Sequence, residues 1–156
     1  MIRPACPEDA EAIAAIWNRI IRDTAATFTT EEKDPSSIAD AMGTQPYWVA
    51  EENGATLGFA TYSQFRGGPG YARTMEHSVH VAKGSEGRGI GRALMAVLED
   101  HARAQGIHSL IAGISGENPA GIAFHAALGY ANTARLPQVG WKFGRWHDLV
   151  LMQKFL

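Results

Sequence analysis

The sequence predicts an α+β fold in which one mixed, mostly antiparallel sheet carries helices on both faces. Two observations lead to this fold class. Before residue 82, strand-like runs follow one another through hairpin turns, which make neighbouring strands antiparallel. After residue 82, a glycine-rich turn leads into an amphipathic helix and then another strand, and such a helical crossover makes its two strands parallel. No repeat, linker or low-complexity stretch divides the chain, so we expect a single domain over residues 1–156.

Composition narrows the function classes before any motif is considered. The apolar share of 46% and the charged share of 19% are typical of a soluble globular protein. A net charge of −2 argues against a general nucleic-acid or anionic-membrane binder. The single cysteine, Cys6, excludes an intrachain disulfide framework and a cysteine metal cluster. No apolar run reaches the ~18 residues of a transmembrane span. Residues 1–7 lack the pattern of a secretory signal, so we expect a cytoplasmic protein.

The N-terminal third is predicted to contain one strand, two helices and a loop. Residues 2–5 form a short strand, and Pro7 followed by two acidic residues is typical of a helix start. A polar loop over residues 24–33 precedes a second helix over residues 35–42. The first helix has apolar residues at i, i+3, i+4, i+7 and i+8, which we interpret as core: Ile13, Ile16, Trp17, Ile20 and Ile21.

The rest of the chain alternates strands with turns and helices. Asn53-Gly54 lies between two strand-like runs, which is a strong signal for a two-residue hairpin. Asn118-Pro119 marks a helix start and Gly129 a helix end. The remaining predicted elements are strands over residues 47–51, 56–63, 75–81 and 109–114, helices over residues 91–104 and 120–128, and a last strand over residues 146–155 that closes the sheet.

The glycine-rich turn before the third helix indicates a phosphate site. Gly87, Gly89 and Gly91 have no Cβ that would hold a ligand away from the main chain. Free N–H groups at the helix start favour a phosphate or pyrophosphate, and Arg88 and Arg92 add positive charge beside them. The run lacks the Gly-Lys-Ser/Thr ending of a P-loop and the glycine spacing of a dinucleotide fingerprint. A purely structural tight turn is the alternative.

A specific succession of elements surrounds this turn. A strand is followed by Gly87-Arg88-Gly89-Ile90-Gly91-Arg92-Ala93-Leu94, an amphipathic helix, a strand, Asn118, a short helix and Leu128-Gly129-Tyr130. Over essentially the whole chain, this succession resembles the GNAT superfamily of acyl-CoA N-acyltransferases. Three segments look like the phosphinothricin and methionine sulfone/sulfoximine N-acetyltransferase group: Glu76-His77-Ser78-Val79-His80-Val81, Phe124-His125-Ala126-Ala127-Leu128-Gly129-Tyr130 and Gly144-Arg145-Trp146-His147-Asp148.

One residue departs from the superfamily's pattern. Glu86 stands where the Gln/Arg-x-x-Gly-x-Gly/Ala motif has glutamine or arginine. A carboxylate beside a pyrophosphate is expected to weaken its binding, unless the side chain points to solvent.

The resemblance implies that acetyl-CoA is the co-substrate and binds in a cleft beside the strand that precedes the turn. Main-chain groups of Val79, His80 and Val81 would hold the pantetheine arm and the thioester. Asn118 would bond the pantetheine arm, because an amide side chain can meet both C=O and N–H groups; the alternative for Asn118 is a helix N-cap alone. The residues expected to cradle the pyrophosphate are Gly87, Arg88, Gly89, Ile90, Gly91 and Arg92.

Two side chains are candidate catalytic groups. Glu76 is expected to act through water as the base that deprotonates the amine, since the resembled group gives a glutamate here that role. His125, five residues before Tyr130, is expected to protonate the leaving thiolate, as histidine can near neutral pH. The alternatives are an exposed or ion-paired carboxylate and a structural or solvated histidine. The oxyanion would receive a strand N–H, from Val81 or its neighbour, and Tyr130 is expected to face the core.

The acceptor site is predicted from the chemistry of an amino-acid-like substrate. A carboxylate or phosphinate needs a cation, and the rest of the substrate needs apolar walls. The candidates are Arg73, Phe28 and Tyr62, and Arg66 and Trp141 are two further ones. No metal is expected. His77 and His80 are three residues apart on a strand and therefore point to opposite faces, and the other histidines lack metal-ligand spacing.

The sequence therefore predicts an acetyl-CoA-dependent N-acetyltransferase that acts on the α-amino group of a small glutamate- or methionine-like compound. Transfer would be direct, since no activated serine or cysteine is apparent. The arginines favour an anionic small molecule, with no nucleic-acid or membrane partner, and the resemblance implies a homodimer. The alternatives are a protein, peptide or polyamine N-acetyltransferase, and a non-catalytic CoA-binding module in which Glu86 marks lost catalysis.

Overall fold

The computed structural model describes residues 1–156 and contains seven strands and four α-helices. Two single turns of 3-10 helix, Pro7–Asp9 and Pro69–Tyr71, complete the regular structure. In chain order, the main elements are β1 (Ile2–Pro4), α1 (Ala10–Asp23), α2 (Pro35–Ala41), β2 (Tyr47–Glu52), β3 (Ala55–Gln64), β4 (Thr74–Val81), α3 (Ile90–Ala104), β5 (Ser109–Ser115), α4 (Pro119–Ala127), β6 (Ala131–Lys142) and β7 (Arg145–Phe155).

The strands form one sheet in the order β1-β2-β3-β4-β5-β7-β6. Only the β4–β5 pair is parallel, because α3 crosses between these two strands; every other neighbouring pair is antiparallel. The predicted hairpin at Asn53-Gly54 is confirmed: both residues have positive φ (52° and 78°), as a type I′ turn requires. The predicted fold class, a mostly antiparallel mixed sheet with helices on both faces, is therefore confirmed.

Two hydrophobic clusters fasten the helices to opposite faces of the sheet. On one face, the apolar stripe of α1 packs with Ile38 of α2 against strand residues such as Val49 and Phe59, both fully buried. On the other face, Leu94 and Leu98 of α3 are fully buried, and α3 packs on β2, β3 and β4. The centre of the sheet is thus covered on both sides.

The C-terminal hairpin differs from the prediction. The sequence interpretation contained no strand over residues 131–142, yet β6 forms there and is the outer edge, while β7 lies inside the sheet between β5 and β6. Most β6 side chains are exposed, so this strand lacks the apolar alternation that marks a half-buried one. The turn is Phe143-Gly144, with φ of 54° and 72°. None of the four helices is both long and apolar enough to cross a membrane.

Candidate active site

The central opening of the sheet lies where β4 and β5 separate. These strands pair only from Thr74–Glu76 to Ser109–Ile111, whereas β4 continues to Val81 and β5 to Ser115. Beyond Glu76 the facing strand edges have no partner strand. A cleft of about 570 Å³ occupies the opening, with α1 and the segment 24–33 on one side and α4 on the other.

The main chain of β4 presents hydrogen-bonding groups to this cleft. The Ala82 N–H donates to the Leu57 carbonyl at 2.8 Å, so the backbone groups of Ala82 face β3. Main-chain groups alternate sides along a strand, which directs the N–H and C=O of Val79 and Val81 toward the opening. An extended ligand that contains amide groups can therefore lie along β4 as an added strand does.

The glycine-rich turn closes one end of the cleft. Gly84, Gly87 and Gly89 have φ of 86°, 74° and 79°, and a Cβ at any of them would meet nothing within 4 Å, so the turn is open to a ligand. Gly89 is the N-cap of α3, a 15-residue helix whose first N–H groups lie here. Gly91 lines the cleft, where a Cβ would lie 3.3 Å from the Phe124 ring.

The two arginines of this turn do not line the cleft. Arg88 is exposed, and its Nη2 donates to both carboxylate oxygens of Glu52 at 2.9 Å. Arg92 is exposed on the first turn of α3, and Ile90 packs on the core beside Gly58. In this structure the turn presents main-chain N–H groups to the cleft, and the phosphate contacts expected of Arg88 and Arg92 stay predictions.

Asn118 occupies the N-cap of α4 and also lines the cleft. Its Oδ1 accepts a hydrogen bond from the Gly121 N–H at 3.0 Å, so the predicted cap is present. A Cβ at Gly121 would lie 2.6 Å from Asn118 Nδ2, so glycine is needed for the amide to fit. The cap engages the side-chain oxygen and leaves the NH₂ group to donate to a ligand.

His125 lines the cleft but is paired with His77 of β4. Their Nε2 atoms lie 2.9 Å apart, and His125 Nδ1 lies 2.8 Å from the Gly121 carbonyl oxygen. A carbonyl only accepts, so His125 carries its proton on Nδ1, and His77 donates from Nε2 to His125 Nε2. Burial lowers the pKa of both rings, that of His77 to about 3. His125 is thus neutral, with both nitrogens engaged; His77 Nδ1 is buried without a partner.

Glu76 is the last β4 residue paired to β5, at the point where the strands separate. Its side chain lies on the face covered further along by α1, the same face as that of His80. Glu76 Oε2 would be 3.3 Å from a Cβ at Gly113, which lines the cleft, so the carboxylate lies beside the inner end of the opening. Desolvation raises the pKa of Glu76, which moves it toward the range of a useful base.

The three predicted acceptor residues do not line the cleft. Tyr62 points to the α3 face, where its hydroxyl is 2.9 Å from His101 Nδ1 and only 6% of the residue is exposed. Arg73 precedes β4 at the end opposite Val81 and is exposed to solvent. Tyr62 and Arg73 thus lie outside the lining of this cleft, and the substrate contacts expected of them stay predictions.

Phe28 packs on the C-terminal hairpin behind the cleft. Its ring stacks on His147 with centroids 5.6 Å apart and covers Gly140. The two weaker candidates are also outside: Arg66 lies over the Tyr71 ring, and Trp141 is 56% exposed beside Trp146. Phe28 nevertheless lies between Thr27 and Thr29, which do line the cleft, so it anchors a segment of the cleft wall.

Lys142 provides a second anchor for this segment. Lys142 is only 2% exposed, and its Nζ donates to the carbonyls of Thr24 and Thr27 at 2.7 and 2.8 Å. Desolvation lowers the pKa of its ammonium group. The C-terminal hairpin thus holds the wall of the cleft through Phe28 and Lys142.

The structure adds cleft residues that the sequence interpretation missed. Trp17, assigned there to the core, lines the cleft and contacts His80, with ring centroids 6.0 Å apart. Arg19 and Lys33 are the cationic residues of the lining. Asn18 clamps Lys33 through both backbone groups, at 2.6 and 2.9 Å, and Lys33 Nζ lies 4.6 Å from the Trp17 ring centroid. No local signal distinguishes these residues from an ordinary helix face and loop.

The fold and this cleft are those of an acyltransferase. The chain belongs to the acetyltransferase (GNAT) family, whose sequence pattern matches residues 13–130. The resemblance predicted from the sequence is confirmed. No group of three potential metal-ligating His, Cys, Asp or Glu side chains occurs in the structure.

Similar proteins belong to the group expected from the sequence. The L-amino acid N-acyltransferase MnaT of Escherichia coli is 41% identical, over 97% of this chain and 91% of its own length. The L-methionine sulfoximine/L-methionine sulfone acetyltransferase of Salmonella typhimurium is also 41% identical, over 97% and 92%. The crystal structure of a phosphinothricin acetyltransferase from Sinorhizobium meliloti in complex with acetyl-CoA superimposes with a TM-score of 0.94 at 33% identity, covering 100% and 88% of the two chains.

Proposed function

We propose that this acetyltransferase moves the acetyl group of acetyl-CoA to the α-amino group of a small amino-acid-like acceptor of the methionine sulfone, methionine sulfoximine or phosphinothricin type. One observation carries the proposal: the free edge of β4 runs from an open glycine turn at Gly87–Gly89 to a carboxylate of raised pKa at Glu76. The substrates of the similar proteins support the acceptor class.

The cleft residues fit acetyl-CoA, which supplies an activated acetyl group as a thioester. The turn offers a pyrophosphate main-chain N–H groups and the positive end of the α3 dipole. Asn118 Nδ2 donates to a carbonyl of the pantetheine arm, and the backbone of β4 pairs with its amides. The N–H of Val79 or Val81 then faces the thioester oxygen and stabilises the oxyanion of the tetrahedral intermediate.

Glu76 is the proposed general base, acting through water. An α-amino group has a pKa of ~8 and is largely protonated at neutral pH, so it must lose a proton before it attacks. The neutral nitrogen then bonds to the thioester carbon, the C–S bond breaks, and the proton shed by nitrogen balances the one taken up by the thiolate. No covalent enzyme intermediate forms.

We infer that His125 shapes the cleft wall rather than protonating the thiolate, because neither of its nitrogens is free. His125→Phe keeps a ring but leaves the His77 Nε2–H buried and unpaired, so the free energy of unfolding should fall by ~1–3 kcal/mol. A general acid contributes ~10²–10⁴-fold, yet we expect kcat of the folded variant to stay within about threefold of wild type. A hundredfold loss of kcat at unchanged stability would restore the acid role predicted from the sequence.

The charges of the cleft bear on the competing functions. Arg19 and Lys33 are its cations, and its one carboxylate, Glu86, already accepts a hydrogen bond from its own turn. A polyamine would meet like charge, whereas an acceptor with a carboxylate or phosphinate finds an opposite one at Lys33. We therefore favour an anionic amino-acid-like acceptor over a polyamine or basic peptide.

A homodimer is also proposed. The resembled group is dimeric, and the C-terminal hairpin exposes a row of large apolar residues suited to a second copy of the chain: Leu136, Val139, Trp141, Phe143 and Trp146. Light scattering after size exclusion should give twice the 16.8 kDa chain mass. We infer a cytoplasmic location, since the proposed donor is an intracellular metabolite.

Thiol release from acetyl-CoA tests the proposed function. With methionine sulfone, methionine sulfoximine, phosphinothricin, lysine, spermidine and a peptide panel as acceptors, we expect turnover with the first three only. Preferred turnover with spermidine or peptides would replace the proposed acceptor class. Tight acetyl-CoA binding without turnover of any acceptor would indicate a CoA-binding module.

A further inference from the structure

Glu86 places a negative charge in the glycine turn itself. Its Oε2 accepts a hydrogen bond from the Gly84 N–H at 2.6 Å, and the residue lines the cleft. Bonds from the backbone N–H groups of Glu86 and Gly84 are the main reason that its pKa is lowered, so the side chain is a carboxylate at neutral pH. An anion of the protein thus uses main-chain donors in the turn where the pyrophosphate is proposed to bind.

Arg19 of α1 lies across the same end of the cleft. It is half-buried, lines the cleft, and takes part in none of the ion pairs of the structure. Its positive charge acts on two cleft residues, since it contributes to the lowered pKa of both Glu86 and His80. Arg19 is therefore a cation near the turn with no fixed partner, in contrast to Arg88.

We propose that Glu86 is a built-in competitor for the pyrophosphate of the donor, and that Arg19 is the counter-charge which pairs with the pyrophosphate when it binds. The proposal rests on the donor site of the proposed function. Binding of the donor displaces the Glu86 carboxylate from Gly84 and brings a doubly charged pyrophosphate beside it, which costs affinity. Arg19 recovers part of that cost. The two residues together then set how strongly the protein favours a phosphate-bearing thioester over one without phosphates.

Direct binding measurements separate these effects from catalysis. Acetyl-CoA and S-acetylpantetheine, which lacks the phosphates, are titrated by calorimetry into wild type, Glu86→Gln, Arg19→Gln and the double variant. Glu11→Gln and Arg22→Gln are the matched controls. Each makes the same charge change on an exposed α1 residue outside the cleft, and Arg22 is paired with Glu32.

Glu86→Gln removes a like charge a few ångströms from the ligand in high dielectric, so the Kd for acetyl-CoA should fall by ~5-fold. Arg19→Gln removes an opposite charge, so the Kd for acetyl-CoA should rise by ~5-fold. Both shifts should shrink at 1 M salt. The Kd for S-acetylpantetheine should not change in any variant. The Kd for acetyl-CoA should not change in the two control variants.

Several results would overturn the proposal. One is an unchanged or weakened affinity for acetyl-CoA in Glu86→Gln. Another is an unchanged affinity for acetyl-CoA in Arg19→Gln, and a third is an equal shift in Kd for acetyl-CoA and S-acetylpantetheine. None of them depends on an acceptor, so a failed acceptor panel with these shifts intact would remove the proposed reaction and leave the donor-site inference standing.

Discussion

Glu76→Gln should lower kcat by ~10²–10⁴-fold, the range of a lost general base, while the Kd for acetyl-CoA stays unchanged. Glutamine keeps the shape of the side chain beside Gly113 but cannot take a proton at neutral pH. The proposed donor site lies along Val79–Val81 and the glycine turn, beyond the point where Glu76 ends the β4–β5 pairing. Steady-state kinetics with methionine sulfone, together with calorimetric titration of acetyl-CoA, measures both quantities.

The pH dependence of kcat provides a second test of Glu76 as the base. Desolvation raises the pKa of Glu76, so the carboxylate form is lost as pH falls through a value above the usual glutamate range. Activity should therefore rise with pH across that raised pKa in wild type, and this limb should be missing in Glu76→Gln. Asp100→Asn, which neutralises an exposed carboxylate on α3, is the control and should leave the profile intact. An unchanged kcat and the same acid limb in Glu76→Gln would eliminate Glu76 as the base.

Gly140→Ala should raise the KM for the acceptor by about tenfold or more, because small misplacements of a binding wall are costly. A Cβ at residue 140 would lie 2.7 Å from Phe28 Cε2, with other ring atoms nearer still, so the ring must leave its place on His147. Phe28 anchors the cleft segment that contains Thr27 and Thr29. Such overpacking should also lower the free energy of unfolding by ~1–3 kcal/mol.

Gly67→Ala is the matched control for this variant. It adds the same methyl group where nothing lies within 4 Å, so KM and stability should remain those of wild type. The Kd for acetyl-CoA should be unchanged in both variants, because the glycine turn is at the other end of the cleft. An acceptor KM within twofold of wild type in Gly140→Ala would show that the Phe28 anchor does not position the acceptor wall.

The sequence predicts best where a local signal determines the local structure. Asn53-Gly54 forms a hairpin because both positions need positive φ, which asparagine and glycine tolerate. Asn118 before Pro119 was recognisable as a helix start for the same kind of reason, since asparagine is a preferred N-cap residue, and the glycine run placed the start of α3 within one residue of its position in the structure. Asn118 lines the cleft and the glycine turn closes one end of it, so these two local signals indicated where the cleft lies.

The walls of the cleft depend on tertiary packing and were not predictable in this way. Periodicity places Trp17 on an apolar helix face but does not reveal that this face borders an opening in the sheet. Lys33 becomes a cleft cation only because Asn18 clamps its backbone. The sequence leaves His125 as a candidate proton donor, whereas in the structure His77, 48 residues earlier, is hydrogen-bonded to its second nitrogen.

Identification of the product by mass spectrometry and NMR tests the central claim most directly. Wild-type protein with acetyl-CoA and methionine sulfone should yield one α-N-acetyl methionine sulfone for each thiol released, and Glu76→Gln should form the same product far more slowly. Thiol release without acetylated acceptor, or acetyl groups found on protein or polyamine in preference to the amino acid, would contradict the account.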